Sequence, residues 1–347
     1  MEKSGGVISL KKRVICITVV LVVCAAFFWL AWPRIYLKIA RPDVLCDMGA
    51  EALNEGHAED ARLYFQTAMD RDPACAESYA GMASLSLAAW DIEGAISSYQ
   101  AAIQHAQANP IRVDENFIQT CYVRIASLYA AMGQLEQGQA VLDQGYAATG
   151  DPDLQDDTFF ENRLILNGAC LTDLSPLASG DWDHLESLFI SYGYNISDYS
   201  PITALPNLEE LRLADCGLTD LSFLEGSDGF YRMVFVENDI TDLTALRSAD
   251  NLRELHLGYN LNLKSLDGLE TLSGLERLYI GYTSVTDLEP LRGCRNLRRL
   301  ELTYLDIDDY SPIQDCPIEM LDVHRIPQED VELLREMFPD AIISAST

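Results

Sequence analysis

The 347-residue sequence is short of basic residues and lacks the patterns that most catalytic chemistry needs. Twenty-four Lys and Arg stand against 54 Asp and Glu, and seven of those bases fall at or before Arg41. After Arg41 the balance is 17 bases to 53 acids, and Lys264 is the only lysine. A body of net charge −36 repels phosphate backbones and anionic lipid heads, which argues against nucleic acid. Partners are expected to be neutral, basic or cation-assisted. No G-x-x-x-x-G-K-[ST], G-x-G-x-x-G, G-x-S-x-G or H-E-x-x-H string occurs. The five histidines are dispersed; His256 and His324 share a face but stand three strands apart, roughly 14 Å, too far to chelate one ion. No enzyme activity, cofactor or metal is expected. There is no C-x-x-C pair, and the seven cysteines from Cys46 to Cys316 are scattered, so buried free thiols are expected.

One long uncharged run is present. Val14 to Trp32 is 19 residues of Val, Ile, Leu, Phe, Ala, Trp, Cys and one Thr. As a helix it spans roughly 28 Å, near the hydrocarbon thickness of a bilayer. Lys11, Lys12 and Arg13 precede it, and Trp29, Trp32 and Tyr36 mark its far end as an aromatic belt. No small-x-small cleavage site follows before Pro33, so a retained single-pass anchor is expected, not a cleaved leader. Residues 1–13 form a basic tail expected in the cytoplasm, with everything beyond the span outside the cell membrane.

Residues 42–150 carry a repeating pattern of small and large side chains. Leu45, Met48, Gly49, Gly56, Ala61, Phe65, Ala68 and Pro73 form one unit; 34 residues on, Tyr79, Met82, Ala83, Ala95, Tyr99 and Ala102 form the next. Small residues let antiparallel helices approach, and an aromatic fills the gap to the next hairpin. A looser copy runs Tyr122, Ile125, Ala126, Tyr129, Gly133, Gly138, Leu142, displaced by an insertion around Asn109 to Asp114. The region resembles the tetratricopeptide family, which implies an array of helical hairpins that binds proteins; a rigid spacer is the other reading. An acidic linker, 151–159, follows.

From residue 160 to 347 an L-x-x-L-x-L strand motif recurs, with central positions at 164, 188, 211, 233, 255, 278, 300 and 321. Intervals of 21 to 24 residues over eight registers imply a solenoid of stacked coils. Behind the strands stand Leu171-Thr172-Asp173-Leu174, Leu218-Thr219-Asp220-Leu221, Ile240-Thr241-Asp242-Leu243 and Val285-Thr286-Asp287-Leu288, with Asp198 in a variant copy. The region resembles the internalin type of leucine-rich repeat, and the whole chain resembles a membrane-anchored bacterial protein of that kind. The fold class expected is therefore α plus an α/β solenoid, entered by a transmembrane helix and a helical-hairpin array. The resemblance implies a parallel strand on the concave side and a short 3₁₀ turn on the convex side. Cys216, Asn238, Asn260 and Thr283 take the position whose side chain bonds neighbouring turns. The repeated aspartates are expected to cap the short turns rather than to collect calcium. Residues 327–338 read as an amphipathic helix closing the far end.

Alternation along a strand assigns the outward residues. Phe189, Arg212, Val234, His256, Tyr279 and Glu301 fall on the concave face. Tyr192, Tyr259, Tyr282 and Tyr304 lie just past their strands at one register position, the last three contiguous beside Tyr279. Exposed aromatics bury much area with few torsions to freeze, so Phe189, Tyr192, Arg212, His256, Tyr259, Tyr279, Tyr282 and Tyr304 are the candidate protein-binding residues; tyrosines that merely stack on each other are the bland alternative. Glu210, Arg232, Glu254, Arg277 and Arg299 are expected to be solvated cross-strand pairs; Asp322 and His324 could form a pair, with no nucleophile evident beside them. The expected function is recognition of a protein or peptide by the concave face. The alternative is a structural scaffold packed against subunits of a membrane complex.

Overall fold

The computed structural model describes residues 37, 39–109, 113, 116–155 and 162–346. The tail 1–13, the expected span 14–32, most of the 109–114 insertion and the end of the acidic linker lie outside these residues. Among the described residues no helix is long and apolar enough to cross a membrane.

Six helices form three antiparallel hairpins: α1 Pro42–Asn54, α2 Ala58–Arg71, α3 Ala76–Ala88, α4 Ile92–Ala108, α5 Phe117–Ala131 and α6 Leu135–Thr149. Their ends follow from local chemistry. Pro42 opens α1 where a missing N–H costs nothing. Asp91 accepts the Gly94 amide at 2.9 Å to cap α4, and Gly150, at φ +72°, ends α6. The small-residue pattern works by close approach. Ala61, Ala68, Ala83, Ala95 and Ala102 are sealed between helices. Phe65 is wedged between two glycines: a Cβ at Gly49 would lie 2.5 Å from its ring, and one at Gly81 2.3 Å.

The turns between paired helices need a left-handed residue, supplied by Gly56 (φ +78°) and Gly133 (φ +72°). In the middle hairpin the position falls to Trp90 at φ +58°, which nothing in the sequence signals. Its indole donates to Asp173 O at 3.0 Å and meets Trp182 edge-on at 6.1 Å, so packing against the solenoid holds a conformation that a bulky residue disfavours. The other two turns dock alongside. A Cβ on Gly56 would strike Ala169 O and Asn195, and one on Gly133 would strike His184. All three hairpin turns therefore rest on the first coils of the solenoid. Asn167 donates to Asn54 at 2.8 Å across the same seam. The acidic segment takes part: Pro152–Gln155 forms a 3₁₀ turn that buries Leu154. One hydrophobic core runs unbroken from Ala83 in α3 to Phe338.

The solenoid is a nine-stranded parallel sheet in sequence order: β1 Arg163–Asn167, β2 Ser187–Ser191, β3 Glu210–Ala214, β4 Arg232–Val234, β5 Glu254–His256, β6 Arg277–Tyr279, β7 Arg299–Glu301, β8 Met320–His324 and β9 Ile342–Ser346. The register aligns Leu164, Leu188, Leu211, Met233, Leu255, Leu278, Leu300, Leu321 and Ile343. The first eight are fully buried, each contributing roughly 2 kcal/mol on leaving water. On the convex side a short helix, α7 Ser175–Ser179, and 3₁₀ turns such as Ser200–Ala204 and Thr244–Ser248 point Leu177, Ile202 and Leu246 inward.

The aspartates cap these turns: Asp173, Asp198, Asp220, Asp242, Asp287 and Asp309 each accept the amide two residues on, at 2.7–2.9 Å. Hydrogen bonds from the hydroxyl of that residue, foremost at Asp198, Asp220 and Asp309, and from its amide, foremost at Asp173 and Asp242, hold these five carboxyls below the ordinary range. The asparagine ladder is equally regular. Asn260, wholly buried, donates to Phe235 O and Leu257 O at 2.7 Å and accepts the Ile240 amide; Asn238 repeats the arrangement one coil earlier.

The far end departs from expectation. Helix α8, Gln328–Met337, buries Val331 and Leu334, but it does not close the stack. It takes the place of a convex turn and leads into β9, which pairs with β8 and has no further strand on its other edge among the described residues. Ile343 keeps the spacing of the earlier coils, 22 residues after Leu321, but Ile342, Ile343 and Ala345 form this strand without the leucine motif.

Candidate functional site

From β2 to β8 each coil leaves its strand through one left-handed residue. The positions are Tyr192, Asp215, Glu237, Tyr259, Tyr282, Tyr304 and Arg325, with φ between +53° and +63°. Such a backbone is uncommon for residues other than glycine, and the ladder enforces it. The amides of these residues donate onward to the next coil: Tyr259 to Gly281 O, Tyr282 to Thr303 O and Tyr304 to His324 O, at 2.9–3.1 Å. With the backbones locked in one register, the side chains stack. Tyr259 and Tyr282 lie 4.4 Å apart at 8°, and Tyr282 and Tyr304 4.3 Å apart at 23°. Desolvation in the stack, with Tyr304 and Tyr259 alongside, pushes the Tyr282 hydroxyl up to about 12. Tyr259 is still 49% exposed and Tyr304 42%, so stacking and exposure coexist.

The other candidates fall into two groups. His256 stacks on Tyr279 at 3.9 Å beside the column. Phe189 is half-buried beneath the guanidiniums of Arg163 at 4.5 Å and Arg212 at 5.8 Å. Tyr192 shares the register but not the stack, because Asp215 and Glu237 intervene. Sequence reasoning missed Arg325, which lies over Tyr304 at 4.9 Å; its place 21 residues after Tyr304 would have found it. It also missed Tyr194 and Tyr231, both largely exposed.

Three expectations about this face are corrected. Val234 is buried, not presented. Glu254 is not a solvated pair member: it is about nine-tenths buried and sits between Arg232 at 3.0 Å, Arg277 at 2.9 Å and His256 at 2.6 Å. Burial works to raise its carboxyl, but the His256 hydrogen bond and the charge of Arg232 outweigh it and hold the group below its usual range. Burial also lowers His256, against the pull of Glu254. Alternation tells which face a side chain takes but not how deeply long neighbours cover it. Lastly, His324 contacts Ser346 at 2.9 Å, while Asp322 faces Arg299 at 3.7 Å. Among the described residues no group of three or more His, Cys, Asp or Glu is placed to hold a metal ion.

Residues 250–293 match the family model described as Leucine Rich repeats (2 copies), the stretch that carries Tyr259, Tyr279 and Tyr282. Among solved structures the chain is similar to an internalin (inlF) from Listeria monocytogenes, at 19% identity and TM-score 0.42. That match covers 55% of this chain and 65% of the internalin, so the chain spans just under two thirds of it. An internalin C2 from the same organism matches at 24% identity and TM-score 0.44, over 58% of this chain and 92% of that one. A leucine-rich repeat protein of Leptospira interrogans matches at 19% identity and TM-score 0.43, over 54% and 55%. No curated protein matches the sequence.

Proposed function

We propose that the chain is a non-catalytic binding module, held at a membrane by residues 14–32, that recognises a protein or peptide with the concave face of its solenoid. Leucine-rich repeat solenoids are generally protein-interaction modules, and nothing here points to catalysis. The observation that carries the reading is the column of Tyr259, Tyr282 and Tyr304, set by the backbone in one register, with Tyr259 and Tyr304 exposed and Tyr282 half-buried between them. Rigid, partly exposed aromatics are what a binding surface concentrates, and ordering them in advance lowers the entropy cost of association. The hairpin array, read as tetratricopeptide-like, is a base that fixes the solenoid's first coils. Residues 1–13 are read as cytoplasmic and the repeats as extracellular.

The test is co-purification after mild detergent extraction of cells carrying the tagged full chain or its Tyr259→Ala, Tyr282→Ala double variant. Loss of the partner in the variant, with the thermal transition kept, supports recognition by this face. Retention of integral-membrane partners at fixed stoichiometry in both proteins points instead to a scaffold. Protease added to intact cells checks the topology: the repeats should be cut away, and full protection would reverse the orientation.

A further inference from the structure

The tyrosine stack has two unlike ends. At one end the chain's own guanidinium, Arg325, lies over Tyr304 from the same left-handed register position. At the other end, Tyr259 meets Tyr282 on one face, and among the described residues no ring or guanidinium lies on its opposite face. The next position in the column is Glu237. A glutamate reaches less far than a tyrosine, so the column steps down at this neighbouring register position, where the Glu237 amide bonds Gly258 O beside Tyr259. Glu237 is exposed, and its carboxylate has no hydrogen-bond or ion-pair partner among the described residues. Asp215, one coil further, is engaged by the Tyr194 hydroxyl.

We propose that this step, the open face of Tyr259 above Glu237, is a subsite for the guanidinium of an arginine carried by the partner polypeptide. The proposal rests on the reading that the column is the binding surface, and it names the chemistry of one contact. A guanidinium is planar and weakly hydrated, so it lies flat on a ring while its edge donates to a carboxylate. An ammonium cannot do both in one plane. The chain already uses this packing at the other end of the same stack. The acidic body as a whole attracts a basic segment before contact.

The experiment uses detergent-solubilised full chain and two fluorescein-labelled probes, hexa-arginine and hexa-lysine, read by anisotropy at physiological ionic strength. Hexa-arginine should bind at least about fivefold tighter than hexa-lysine, the margin a stacked cation adds over plain charge attraction. Tyr259→Leu and Glu237→Gln should each bring the ratio close to one, while Tyr146→Ala, at an exposed tyrosine of α6, leaves it unchanged. Glu237→Gln removes no packing, so its effect cannot come from misfolding. Equal affinities in the unaltered protein, or a ratio that survives Tyr259→Leu, would overturn the subsite. If partner capture still depends on Tyr259 and Tyr282 while the two probes bind equally, the subsite fails and the broader reading stands. If the arginine preference maps to Tyr259 but capture ignores the column, the broader reading fails alone.

A different observation carries a second inference. Cys46, in the middle of α1, and Cys75, which precedes α3, bring their sulfurs to 3.2 Å, with both residues buried. We infer that these two thiols form a disulfide when the chain meets an oxidised small-molecule disulfide or dithiol carrier. Cys75 stands at a helix N-terminus and borders a groove lined by Arg41, Asp43, Asp72 and Glu77, so it is the thiol placed to react first. As thiolate it attacks one sulfur of the carrier, whose S–S bond breaks to release a thiolate. Cys46 then loses its proton, attacks the Cys75 sulfur of the mixed disulfide and expels the carrier's other thiolate. The two cysteines are oxidised by two electrons, and the carrier is reduced by two.

Oxidised glutathione is the probe, with thiols counted on the denatured full chain. Nine cysteines should fall to seven free thiols, and peptide mapping should link Cys46 to Cys75. Cys46→Ser should keep Cys75 as a glutathione adduct. Nine free thiols after treatment, or a link between any other pair, would overturn the assignment.

Discussion

Phe65 in the helical half and Asn260 in the solenoid do the same job, joining one repeat to the next, by different physics. Phe65 works by shape: its ring fits because Gly49 and Gly81 lack a side chain. Asn260 works by hydrogen bonding: one buried amide holds Phe235 O, Leu257 O and the Ile240 amide across two coils. Shape tolerates insertions and approximate copies, so the third hairpin survives with glycines where alanines are expected. A backbone ladder confines such variation to the turns, because a slip of one residue within a strand would turn its leucines outward. The ladder's strictness is what aligns the tyrosines; a loosely packed helical array offers no such column.

The comparison can be broken at either end. Asn260→Ala should be the costliest change, about 3 kcal/mol, since it strands three buried backbone groups; thermal unfolding of the full chain measures it. A cost below about 1 kcal/mol would mean that water or a shifted loop replaces the amide, and that the ladder is not what fixes the coils. Gly81→Ala should cost about 2 kcal/mol by overpacking against Phe65. Phe65 belongs to a smaller core with Ala52, Leu53, Ala61 and Leu85, tied through α3 and Cys170 to the continuous core, so the change should move the main transition instead of splitting off an earlier one. A separate early transition would show that the two halves fold independently. Asp220→Ala, which removes the cap from the Ser222 amide, should cost about 1 kcal/mol.

The smallest effect should be in pH. Burial makes His256 harder to protonate in the folded protein than in the unfolded chain, so its contribution is intact above the ordinary histidine range, near pH 6.5. Stability should decline as pH falls below that range, where the unfolded chain takes up the proton first. Glu254 stays ionised throughout this window, because its carboxyl is held below its usual value. His256→Gln should flatten the dependence of the unfolding midpoint between pH 7 and 5, and an unchanged slope would assign it to other groups.

What could be read in advance follows the same division. The leucine register, the aspartate caps and the asparagine ladder were legible because each coil repeats the same solution at nearly the same spacing. The tyrosine column followed from that register, and Arg325 would have followed from counting one coil further. The missed features depend on contacts between distant parts of the chain. Trp90 in a left-handed turn makes sense only once Asp173 and Trp182 are beside it. The seating of the hairpin turns on the first coils is a tertiary event with no local signal. Glu254 looked like a surface charge until two arginines and a histidine closed over it, and β9 lacks the motif that marked the other strands.

Tyrosine-selective labelling of the full chain, free and in the partner complex captured from cells, tests the central claim most directly. Tyr259, Tyr282 and Tyr304 should be labelled in the free protein and protected together in the complex, with buried Tyr99 and Tyr310 silent in both. Protection confined to Tyr146, Tyr194 or Tyr231, with the column still labelled, would contradict it.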